Sequence, residues 1–194
     1  MRHGGIGKFL LITLAVILII GIAIFSWFRS GYDKAVAMDE QVKQAWSNVD
    51  TNLQRRFDLI PNLVNTVKGY AEHEKGIFES LAEARTKYFT NADRASKINA
   101  ANEFSGVLSR LLMLQENYPT LKADQSFMAL MDSLEGTENR ISVERKRYNE
   151  AATALNSYRR SLFGSFFCSI ANVEEAPYFE ATEQAKTEVP EVKF

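Results

Sequence analysis

Between Lys8 and Arg29 runs Phe9 to Phe28, a stretch without one charged side chain. A helix rises ~1.5 Å per residue, so about 20 such residues cross the ~30 Å hydrocarbon core of a bilayer. Lipid offers no partner to a backbone N–H or C=O, and a lone segment satisfies both only through its own helical bonds, so the stretch reads as one transmembrane helix. Trp27 and Phe28 suit the interface at one end, and Lys8 and Arg29 reach toward the headgroups. A cleaved secretory signal is the competing reading, with Arg2 and Lys8 as its basic region and Ala35-Val36-Ala37 as its cleavage motif. The apolar run exceeds the usual ~7 to 15 residues, and Arg29, Asp33 and Lys34 intervene before the alanines, which favours an uncleaved anchor.

What remains is long enough for one domain, and a formal net charge of -1 gives no sign of a nucleic-acid partner. Cys168 is the single cysteine, which excludes an internal disulfide and a cysteine-based metal cluster. Arg2, Lys8 and the amino terminus stand against Arg29, Lys34 and Lys43, nearly a tie under the positive-inside rule. The balance inclines to a cytoplasmic N-terminus with the domain outside.

Beyond the membrane the pattern is helical throughout. Val42, Trp46, Val49, Leu53 and Ile60 form a seam at steps of four and three, interrupted at Arg56, and Pro61 predicts a turn because it lacks an N–H. A second helix is expected from about Pro61 to Phe89 on Leu63, Val67, Tyr70, Ile77, Leu81, Ala84 and Tyr88, with Glu74 at an apolar position. Phe104, Val107, Leu111 and Leu114 mark a third, from about Ala95 to Glu116, which Asn117-Tyr118-Pro119 ends. The fourth begins near Asp124, an N-cap, and runs to about Phe163.

The fold class is therefore all-α: an N-terminal single transmembrane helix followed by an antiparallel four-helix bundle with long helices. Its divisions are a short flank over residues 1–8, the span over 9–28, the bundle over 29–163, and an apolar membrane-proximal segment with a flexible tail over 164–194. Four passes return the chain toward the bilayer, so Ser161 to Ile170 should end near the membrane surface.

Several blocks carry a specific likeness: Ala45-Trp46-Ser47-Asn48-Val49, Leu53-Gln54-Arg55-Arg56-Phe57-Asp58-Leu59-Ile60-Pro61-Asn62-Leu63-Val64, Glu116-Asn117-Tyr118-Pro119-Thr120-Leu121 and Leu134-Glu135-Gly136-Thr137-Glu138-Asn139-Arg140-Ile141. Together, over about Tyr32 to Phe179, they resemble the LemA family of bacterial membrane proteins. The resemblance implies a membrane anchor followed by a four-helix bundle, carries over no catalytic residue, and implies a short N-terminus outside, opposite to the charge balance. Phe163 to Ser169 is more apolar than the family's corresponding stretch.

Two groups of residues are candidate sites. Arg56, Glu74, Glu138 and Arg145 interrupt the seams, either as partly hydrated side chains at helix edges or, with Asn62 and Asn139, as a buried polar network that sets helix register. A depth count from the turn expected at Pro61 matches Arg56 poorly with Glu138. Leu162, Phe163, Phe166, Phe167 and Ile170 either complete the core or dip into the lipid interface. His73 lies between Glu72 and Glu74, but neither a second histidine in the soluble part nor a His-Glu-x-x-His spacing accompanies it.

The role this predicts is a membrane-anchored helical-bundle scaffold or interaction module of the bacterial cell envelope, single-pass in the inner membrane, without catalysis, cofactor or metal. Its partners would be the lipid bilayer and other envelope or membrane proteins. The alternative is a lipid-associating, membrane-organising protein that forms homo-oligomers through its long helices.

Overall fold

The computed structural model describes residues 4–71 and 73–180, with side chains from residue 9 onward. Six α-helices and one 3-10 turn follow in order: α1 (Gly4–Lys68), α2 (Lys75–Thr90), α3 (Arg94–Met113), the 3-10 turn (Leu114–Glu116), α4 (Pro119–Lys122), α5 (Gln125–Arg160) and α6 (Leu162–Ile170). The protein is all-α, and among the described residues there is no strand. The flank over residues 1–3 and the tail over 181–194 lie outside the described residues.

The largest departure from expectation is the length of α1. It passes from the apolar span through Pro61 without a break and stops only at Lys68, before Gly69. Proline inside a helix removes one hydrogen bond and crowds the carbonyl four residues back. Against that local cost stands an unbroken seam: Leu53, Phe57, Ile60, Leu63 and Val67 are all buried, three or four residues apart on either side of the proline. A turn at Pro61 would take Leu63 and Val67 off that line. Pro61 itself is exposed. The break between helices comes instead after Lys68, and Glu74 sits at the entrance to α2 and not in a helical seam.

Two compact units are distinguished, Met1–Val42 with Thr153–Ala176 and Lys43–Ala152 with Pro177–Phe194. In the second unit, α1, α2, α3 and α5 supply the core. Phe57 is its centre, with ring centroids 4.8 Å from Tyr88, 4.5 Å from Phe104 and 5.3 Å from Phe89. The helix starts are chemically marked. Asp93 accepts from the Ser96 N–H at 2.8 Å and Asp124 from the Phe127 N–H at 2.9 Å, satisfying donors that a first turn leaves open. Pro119 opens α4, where its missing N–H costs nothing.

In the first unit, α5 ends at Arg160, three residues before the expected boundary. Ser161 takes an extended conformation and accepts from the Gly164 N–H at 3.1 Å, which stops one helix and caps the next. α6 closes at Asn172, whose φ of 52° is left-handed. The Val173 N–H reaches Cys168 O at 2.8 Å and the Asn172 N–H reaches Ser169 O at 3.3 Å, the paired bonds of a Schellman end. From Val173 to Glu180 the chain has no regular secondary structure.

Candidate functional site

Of the six residues proposed for a polar network, the structure joins two directly. Arg56 projects from α1 into the core of the second unit and is almost wholly buried. One guanidinium nitrogen donates to a Glu138 carboxylate oxygen on α5, and the other donates to Ser105 Oγ on α3 at 3.1 Å. The guanidinium also lies 5.1 Å from the centre of the Phe104 ring, whose face favours a cation. Three helices thus converge on one side chain. Burial pulls the Arg56 pKa down, opposed by the carboxylate of Glu138.

The poor depth match expected for Arg56 and Glu138 came from placing the turn at Pro61. Counted from Lys68, where α1 ends, Arg56 lies about 18 Å down its helix, against about 21 Å for Glu138 from Asp124. Moving the turn by two helical turns brings the pair level.

The other four residues take different positions. Asn62 and Asn139 are exposed, and Glu74 is half-buried in the turn after α1. Arg145 lies two turns along α5 from Glu138, half-buried, with its guanidinium 4.8 Å from the Phe179 ring centre. Its Nε and Nη2 are buried without a hydrogen-bond partner among the described residues. Burial, and then the charge of Arg56, lower its pKa. Beside Arg56 and Glu138 opens a cleft of about 400 Å³ edged by Ser105, Leu108, Leu112, Met131 and Leu134. His73 is exposed in the turn, and the described residues contain no group of three or more His, Cys, Asp or Glu placed to hold a metal.

The second group lies in the first unit. Phe163 and Phe167 meet the Trp27 ring at 5.4 and 5.1 Å between centroids, and Phe166 and Phe167 meet Phe28 at 6.4 and 5.7 Å. All are edge-on or steeply inclined, as aromatic pairs prefer. Only Phe167 of this group is buried; Leu162, Phe163, Phe166 and Ile170 remain exposed. Gly31 makes the approach feasible. A Cβ there would stand 2.2 Å from a Phe167 ring carbon, and its carbonyl accepts from the Tyr158 hydroxyl at 3.2 Å.

Two structural residues escaped the sequence reading. Asn156 donates to Ala176 O and accepts from Ala176 N–H, both at 2.9 Å, and Asn149 does the same with Phe179 at 2.8 and 3.0 Å. Asparagine pairs a donor and an acceptor as a peptide group does, so each side chain satisfies both backbone groups of one residue outside the helices. The seven-residue spacing of Asn149 and Asn156 was the available signal. Tyr88 is buried, as its place in the second seam predicts, and burial with its hydrogen bond to Asp50 holds the phenol well above its usual range.

The comparisons agree with this architecture. The profile of the LemA family matches residues 45–194. Magnetosome protein MamQ 1 and MamQ 2 of Paramagnetospirillum magneticum are each 26% identical over 185 residues, covering 81% of this chain and 68% of the relative. Magnetosome protein MamQ of Magnetospirillum gryphiswaldense is 23% identical over 205 residues, covering 92% and 75%.

Proposed function

The chain belongs to the LemA family, and from that membership we propose that it is a scaffold or interaction module of the bacterial cell envelope, held to the inner membrane by α1 and recruiting other envelope proteins. This is a membrane-anchored helical protein, whose unburied N-terminal span is long and apolar enough to cross a bilayer. The observation that supports recruitment is the uncovered side of that same helix. Gln54, Arg55, Asp58, Asn62, Asn65 and Lys68 are exposed on α1, opposite the buried Val49, Leu53, Ile60, Leu63 and Val67. A polar face on an anchored helix tethers its binding groups to the membrane, to which a membrane partner is confined as well. The names of the MamQ relatives give a location, the magnetosome, and no reaction.

We place the N-terminus in the cytoplasm and the helical domain outside, on the charges flanking the span. The test is photo-cross-linking in cells from a benzophenone side chain at Arg55, Asn62 or Lys68 of the full chain, with a tag at either end to report the side. Adducts of discrete protein mass from this face, absent from a buried position such as Leu53, are expected. Lipid adducts alone would reject recruitment, and a cytoplasmic C-terminal tag would reverse the orientation.

A further inference from the structure

The sides of α6 differ in a way that its packing against α1 does not explain. Phe167, Gly164 and Cys168 make one side, buried in the first unit. Ser165 and Ser169 make another, beside Arg159, Asn172 and Glu174 along a polar cleft. The third carries Leu162, Phe163, Phe166 and Ile170, at 83, 59, 50 and 48% exposure. At 100° per residue these four fall within an arc of about 100°, the width of an apolar stripe that should be covered. In water they would be an unexplained liability, since Leu162–Ile170 has no charged residue to break the patch.

We propose that α6 is an interfacial membrane helix whose Leu162, Phe163, Phe166 and Ile170 side chains are covered by the acyl chains of the bilayer that α1 crosses. Continuity names the occupant. Trp27 and Phe28 end the apolar span and are themselves partly exposed, as residues of an interfacial aromatic belt are. The rings of α6 lie directly against those two residues, so the bare stripe extends the lipid-facing surface of the span at the depth where acyl chains meet headgroups. The serine side then faces the aqueous boundary, and Arg160, exposed immediately before Ser161, lies at headgroup level. The chain gains a second attachment beside the span, which restrains rotation of the first unit about the membrane normal. This rests on the anchor and not on recruitment of partners.

The test uses the full chain in liposomes, with Trp27→Phe and Trp46→Phe leaving a single reporter, Phe166→Trp or Leu162→Trp, and Val143→Trp in the second unit as the exposed control. Burial about 5–10 Å into the boundary puts an indole among bromines on the acyl chains, so brominated lipid should cut both reporter emissions about twofold or more and leave Trp at 143 unchanged. Unquenched, water-like emission from both reporters overturns the proposal. Blue-shifted emission that resists bromine and reddens on dilution into excess lipid assigns the stripe to a second copy and overturns it too. Equal quenching of all three positions does the same, since nothing would then single out α6. Flotation with the vesicles reports the α1 anchor separately, and protein adducts from Arg55 report recruitment.

Discussion

Arg56 and Glu138 form an ion pair with one member in the core and the other at the rim: the arginine side chain is 1% exposed and the glutamate 51%. That asymmetry decides what each removal costs. A buried guanidinium without its carboxylate keeps the whole desolvation penalty, whereas a half-exposed carboxylate without its guanidinium turns to water.

Glu138→Ala should therefore destabilise the protein by about 3 kcal/mol, the low end for a broken buried pair. Arg56→Met removes the buried charge with its penalty and should stay within about 1 kcal/mol of the parent, despite losing Ser105. Denaturant unfolding followed by far-UV circular dichroism in detergent separates the two. Equal losses would show that the pair acts as a surface bridge.

Acid should act through the helix caps. The Asp93 carboxylate is held low chiefly by hydrogen bonds from Ser96, and that of Asp124 by the Phe127 N–H and the Tyr70 hydroxyl. For a group whose folded pKa lies below its unfolded one, stabilisation is fully present above the unfolded value and disappears as pH falls through the folded value. Stability should be level above the ordinary aspartate range, about pH 4, and fall below it. Asp93→Ala with Asp124→Ala should lower the neutral plateau and flatten the acid limb. A limb of undiminished slope would assign the loss to other carboxylates.

How much of this was legible in the sequence follows from which signals are periodic and which are not. The span, the seam of α3 and the cap at Asp124 are repeating or strongly local patterns, and all are where the residues place them. Pro61 misled because a local rule was weighed without its competitor. Ile60, Leu63 and Val67 already continued the seam of Leu53 and Phe57, and five buried side chains outweigh one lost hydrogen bond. The same misplacement separated Arg56 from Glu138, so one error in the turn hid the main contact of the candidate site. The asparagine clamps were illegible for another reason: their partners at Ala176 and Phe179 are backbone groups, which leave no trace in side-chain pattern.

Gly31 is where the docking of α6 is most exposed to a single change. Its hydrogen leaves room for the Phe167 ring, and Gly31→Ala would drive a methyl group into ring carbons at 2.2 to 2.5 Å. Overpacking of this kind costs about 1 to 3 kcal/mol, offset only slightly by the better helix propensity of alanine. Phe167→Leu should recover much of the loss in the Gly31→Ala background while being destabilising alone. A double-mutant cycle in detergent reads the coupling; additive effects would place the two residues out of contact.

Asn156 tests the segment that follows α6 in the first unit. Its amide supplies both bonds to Ala176 in a buried setting, and Asn156→Ala leaves a buried N–H and a buried C=O without partners. Each orphaned group costs about 1 to 3 kcal/mol, so the variant should lose about 3 kcal/mol. Asn149→Ala should lose less, because Asn149 is half-exposed and water can replace its amide at Phe179. Hydrogen exchange locates the effect. The Ala176 amide should exchange far faster in Asn156→Ala while amides of α3 keep their protection, because the fault is confined to the segment the asparagine holds. If α3 and Ala176 lose protection together, the clamp belongs to the global folding unit and not to a strap that opens by itself.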